Sequence, residues 1–151
     1  NAPNAMRDIV DWPVGERDNF VFKDVNAVVN AFHYRNLNEM RDIANALGKI
    51  EDARFFEARA MKVKKSFNKV FFNGAAKLYR DGEGTDHSSL HANAAALAFG
   101  LVPEPQRAYV ADFLVKKGMA CSVYFAQYLL EALFEAGRDE DALKLMVSDR
   151  R

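Results

Sequence analysis

Cysteine is nearly absent from this chain of 151 residues, where Cys121 stands alone. A single cysteine excludes an intramolecular disulfide and any multi-cysteine zinc site. Its apolar neighbours mark it as a buried structural thiol, not a nucleophile. Net charge is absent too: Lys and Arg number 21, and Asp and Glu number 21. No run of basic residues forms a patch, so no positive field exists to attract nucleic acid or an anionic membrane. No apolar run reaches the length of a membrane span, and the N-terminus lacks a signal-peptide pattern. Asn1-Ala2-Pro3-Asn4-Ala5 reads as a cut end. The three histidines offer no metal set, because His87 and His91 are four apart but lack a third ligand nearby. No metal and no cofactor are expected.

What the chain does have is apolar bulk. Half its residues are hydrophobic and twelve are Phe, a composition that supports one domain with a real core. It also has an internal echo. Gly48-Lys49-Ile50-Glu51-Asp52-Ala53 returns as Gly137-Arg138-Asp139-Glu140-Asp141-Ala142, each copy after an apolar helical stretch. A glycine past the last apolar turn stops a helix in the left-handed conformation, and acids then suit the positive end of the next helix. The echo is a helix–turn–helix corner used twice.

Apolar spacing predicts a helix from Val25 to Leu47 with Asp24 as its N-cap, and a second, amphipathic one after Gly48 through Ala53, Phe56, Ala60, Phe67 and Val70. Lys77–Gly82 reads as a short extended piece ending in a turn. A third helix is expected to start at Asp86 or Ser88 and reach Gly100; being Ala-rich, it should be well buried. Pro105 suits the first turn of a fourth, which runs to Gly118. Ser122 is the expected cap of a fifth and Asp139 of a sixth, ending at Met146. The chain therefore reads as all-α, three helical hairpins in a single domain over residues 1–151. The corner glycines Gly48, Gly100 and Gly137 are unequally spaced. A tetratricopeptide array would keep about 34 residues per repeat, so a regular solenoid is disfavoured.

Five ordered segments are more specific. They are Asp11-Trp12-Pro13; Val28-Val29-Asn30-Ala31-Phe32-His33-Tyr34-Arg35; Ser89-Leu90-His91-Ala92-Asn93; Ala96-Leu97-Ala98-Phe99-Gly100-Leu101-Val102-Pro103; and Ser122-Val123-Tyr124 with Gln127-Tyr128-Leu129-Leu130-Glu131-Ala132-Leu133. In this order the chain, from about Arg7 to Met146, resembles the catalytic domain of bacterial α-L-rhamnosidases. The resemblance implies about half of an (α/α)6 toroid. It also implies an inverting glycoside hydrolase that releases terminal α-L-rhamnose with two carboxyl groups about 6.5–9.5 Å apart. The family's catalytic acid lies upstream of the segment matched by Asp11-Trp12, and its base downstream of the hairpin ending at Met146. The expectation is a central fragment lacking both, inactive alone. The compartment, bacterial cytoplasm or periplasm, stays open.

The resemblance puts Asp11-Trp12 and the following Arg17 and Asp18 on a loop lining the sugar pocket, where an Asp grips hydroxyls and an indole covers an apolar sugar face. The plainer reading is a polar loop before a helix. No residue is assigned as catalytic. His91, at the start of the Ala-rich helix, is a sugar-contact candidate beside an equal reading as a satisfied buried histidine. Tyr124 and Gln127, at the start of the fifth helix, are within reach of the pocket and Tyr124 is a further contact candidate, but a core position is its better reading. His33 reads as a structural mid-helix residue, and Tyr128, Phe32, Phe56, Phe67 and Phe99 as core aromatics. Two rivals stand beside the rhamnosidase reading: a helical-hairpin module that binds peptides, and another six-hairpin glycosidase acting on glucosides or uronides. The partner is then a rhamnose-containing glycan or glycoside. Half a toroid leaves inner helices without neighbours, so a homodimer covering the open edges is expected.

Overall fold

The computed structural model describes residues 8–148. The Asn1–Ala5 segment read as a cut end lies outside them. A loop with one 3-10 turn at Val14–Glu16 leads into α1 (Ala27–Ala46) and α2 (Ile50–Phe71). A two-residue hairpin follows, β1 (Phe72–Asn73) antiparallel to β2 (Leu78–Tyr79), with Phe72 opposite Tyr79. Then come α3 (Leu90–Ala98), α4 (Glu104–Lys117), α5 (Val123–Glu135) and α6 (Asp139–Val147).

The helices pair as α1–α2, α3–α4 and α5–α6, and α3 also packs directly between α1 and α5. This makes α1, α3 and α5 an inner layer, with α2, α4 and α6 outside. Leu90 to Leu97 of α3 are all buried, which is why that helix needs small, uncharged side chains. Phe32 of α1, Phe99 and Tyr128 of α5 meet edge to face at centroid distances of 5.0–5.6 Å, and Phe125 joins at 5.3 Å from Tyr128. The architecture is all-α, helical hairpins forming about half of an (α/α)6 toroid.

The corners match the echo. Gly48 and Gly137 have φ of 70° and 68°. At the first, Gly48 N–H donates to Asn45 O and Lys49 N–H to Ala44 O; at the second, Gly137 N–H donates to Phe134 O and Arg138 N–H to Leu133 O. Both are Schellman closures.

Three cap expectations need correction. The N-cap of α1 is Asn26, not Asp24, and its side chain accepts from Val29 N–H at 2.9 Å. Asn26 is held extended by a bridge to Gly82, so the helix cannot begin earlier. Ser89, not Asp86 or Ser88, caps α3; Asp86 is drawn instead to Arg80 at 3.1 Å. Asp139 is inside the first turn of α6, because Arg138 completes the Schellman corner and occupies the cap position. Ser122 does cap α5. Phe67 is core, whereas Phe56 is only half-buried and pairs with Phe55. Cys121 is buried beside the Met119 sulfur, and burial pushes its thiol up to about 12.

Candidate functional site

The loop before α1 and the N-termini of α3 and α5 come together at one end of the inner layer. Three carboxylates join them. Asp18 accepts from Leu90 N–H at 2.7 Å and from Lys117 Nζ at 2.7 Å. Asp81, fully buried, accepts from Val21 N–H at 2.9 Å and Ser89 N–H at 2.8 Å and pairs with His87 Nδ1 at 2.6 Å. Asp11, 1% exposed, accepts from Ser122 N–H at 2.8 Å, from the Ser122 hydroxyl, from Trp12 N–H at 2.8 Å and from His91 Nε2 at 3.0 Å. Carboxylates at helix N-termini satisfy donors that have no partner within the helix and meet the positive end of the dipole.

Burial alone would push the Asp11 carboxyl up, but hydrogen bonds from Ser122, His91 and Trp12 outweigh it and hold the group below its ordinary range. An ionised carboxylate only accepts, so Nε2 of His91 carries a hydrogen and donates it to Asp11. Burial lowers the His91 pKa despite the neighbouring Asp11. Its Nδ1 is buried with no hydrogen-bond partner among the described residues.

Beside this hub lies an open cavity of about 650 Å³, lined by Ile9, Val10, Asp11, Trp12, Val28, Val29, Phe32, His33, Asn36 and Tyr124. Of the residues singled out from the sequence, it brings together Asp11, Trp12 and Tyr124. The Trp12 indole is 78% exposed at its edge. Tyr124 is exposed on the wall, so its core reading does not hold. His91 lies wholly buried against Phe125, at 4.5 Å between rings, and does not line the cavity. Arg17 turns inward: its Nε donates to Asp11 O at 2.8 Å and its Nη2 to Trp12 O at 3.0 Å. Asp18 lines a separate cavity of about 510 Å³ on the other side of the loop, with Glu16, Met119 and Cys121.

His33 and Asn36 are additions. Read as structural, His33 is in fact exposed on the cavity wall. The signal was available in the spacing, since Val29, His33 and Asn36 step along one face of α1 with Val28 and Phe32 beside them. Among the described residues, no three His, Cys, Asp or Glu side chains are grouped to hold a metal ion, and no helix is long and apolar enough to cross a membrane.

A family model described as the bacterial alpha-L-rhamnosidase 6 hairpin glycosidase domain matches residues 3–151. The chain belongs to that family. No curated protein matches the sequence. Membership makes this a glycoside hydrolase-type domain, three of whose hairpins are described here. A family of glycoside hydrolases suggests a glycan substrate.

Proposed function

We propose that this six-hairpin glycosidase chain supplies part of the sugar site of an inverting hydrolase that releases terminal α-L-rhamnose. The carrying observation is the cavity's chemistry. Its lining is mostly apolar and aromatic, with Ile9, Val10, Val28, Val29, Phe32, Trp12 and Tyr124, and its polar residues are few: His33, Asn36 and Asp11. Rhamnose is a 6-deoxyhexose, so it offers a methyl group and a C–H face to such a surface and hydroxyls to an imidazole and an amide. Among the described lining residues there is no Lys or Arg to pair with a uronate carboxylate, which favours a neutral deoxy sugar over a uronide.

The same lining bears on catalysis. Inversion needs a carboxylic acid to protonate the leaving oxygen and a carboxylate to take a proton from the attacking water on the opposite face. Asp11 is the single carboxylate among the described lining residues, and its two oxygens already accept four hydrogen bonds. Among its described lining residues the cavity thus reads as a binding half-site that holds no acid–base pair of carboxyl groups.

The test has two arms. L-rhamnose, D-glucose and D-glucuronate are titrated by isothermal calorimetry, which reads wild type and Trp12→Ala alike. Selective binding of L-rhamnose that Trp12→Ala weakens by about tenfold supports the reading, since stacking on an aromatic face and its buried area are worth about 1.4 kcal/mol or more. Equal response to all three sugars would sink it. In the second arm an aryl α-L-rhamnoside shows no turnover; activity abolished by Asp11→Ala or Glu16→Ala overturns the half-site.

A further inference from the structure

An aromatic ring left 78% exposed is usually free to move, yet the backbone that carries Trp12 is held at every polar atom. Trp12 N–H donates to the Asp11 carboxylate at 2.8 Å. The carbonyls of Asp11 and Trp12 are both taken by one guanidinium, through Arg17 Nε at 2.8 Å and Nη2 at 3.0 Å. Pro13 follows, with φ −77° and ψ 137°, and its ring keeps Trp12 out of the helical region. The guanidinium also lies 5.7 Å from the centroid of Phe22, which limits its own freedom. Behind it, Asp11 is anchored to His91 of α3 and Ser122 of α5.

We propose that Arg17 is a positioning residue: its fork across the Asp11 and Trp12 carbonyls pre-sets the indole as a stacking platform at the cavity edge. This rests on the sugar reading of the cavity for its purpose, but not for its physics. Only a planar fork spans two carbonyls of one dipeptide at once; an ammonium is a point donor and holds one of them well. A platform ordered before the ligand arrives avoids the entropy cost of ordering it on binding. Arg17 thus acts through Trp12 and does not itself touch the sugar.

The experiment is nuclear relaxation on the indole N–H of the single tryptophan, in the intact chain and in Arg17→Lys. A rigid platform gives a wild-type order parameter near 0.85, the value of ordered backbone, falling toward about 0.6 in Arg17→Lys. Helical circular dichroism should stay unchanged. L-rhamnose affinity should fall by roughly two- to tenfold, the cost of immobilising one side chain. A role in overall stability alone would lower the melting temperature and leave the indole order parameter where it was, overturning the proposal. A wild-type indole already below about 0.6 overturns it too, and needs no variant to fold. If the order parameters behave as expected but wild type binds no L-rhamnose, the positioning role stands and the sugar reading fails.

Discussion

At the scale of single residues, the side chains around the cavity and its hub divide by direction. Trp12, His33, Asn36 and Tyr124 face the cavity, whereas Asp11, His91, Arg17 and Asp18 are occupied by backbone and one another. Asp11→Ala would strip one buried acceptor from His91 Nε2–H and from Ser122, leaving donors without partners. We expect a loss of roughly 3 kcal/mol, within the range for orphaned buried donors, read as a lower urea midpoint at pH 7. The hub also fixes a pH dependence. His91 has its pKa lowered from 6.5 by burial, so the folded form binds its proton less readily than the unfolded form. Its contribution is fully present above about 6.5 and is lost as pH falls toward the folded value. Asp11, lowered from 3.8, has the same sign at lower pH. The urea midpoint should therefore fall between pH 7 and pH 5, and fall less in His91→Gln; an equal fall in the two proteins would contradict a role for His91.

At the scale of elements, two kinds of glycine have different consequences. Gly48 and Gly137 have no neighbour within 4 Å of an added Cβ, so their cost on substitution is torsional. Ala at either should destabilise by about 1 kcal/mol, the penalty for a left-handed non-glycine residue. Gly82 has an ordinary φ, but a Cβ there would lie 2.7 Å from Lys23 Cβ and 2.8 Å from the Val25 carbonyl. Gly82→Ala must move the strand that positions Asn26 and the start of α1. Melting curves should show a larger drop for Gly82→Ala than for Gly48→Ala. The helix stops were legible because a left-handed glycine closes its own helix by local hydrogen bonds. The starts were legible only in part. Ser122 was visible as a cap, but Asn26 and Ser89 are selected over their neighbours by contacts with Gly82, Asp18 and Asp81.

At the scale of the whole molecule, large apolar side chains are exposed at both edges of the helix array. Along α1, Val29, Met40, Ile43 and Leu47 are exposed, and at the far edge Val123, Phe134, Leu143, Met146 and Val147 are exposed. We propose that the chain in isolation covers them by pairing with a second copy, since its zero net charge opposes association only weakly. Light scattering should give a dimer mass at high concentration, and Ile43→Glu with Val147→Glu should return a monomer of unchanged helicity. A monomeric wild-type chain at the same concentration would contradict pairing.

The sequence by itself determined the all-α class, the corners and the family, because periodicity, left-handed glycines and ordered segments are local properties of the chain. It also marked the Asp11-Trp12 loop as a candidate, since a carboxylate beside an indole can meet both the hydroxyls and the apolar face of a sugar. Only the tertiary structure decided which way each side chain points. Whether Arg17 reaches out to a ligand or back to two carbonyls depends on how the loop is pinned to α3 and α5. His33 becomes cavity wall because the loop through Trp12 and Tyr124 of α5 come to line the same cavity, and Asp81 becomes a hub because the chain brings Val21, His87 and Ser89 around it. These outcomes rest on contacts between residues far apart in the chain, which no spacing rule along it encodes.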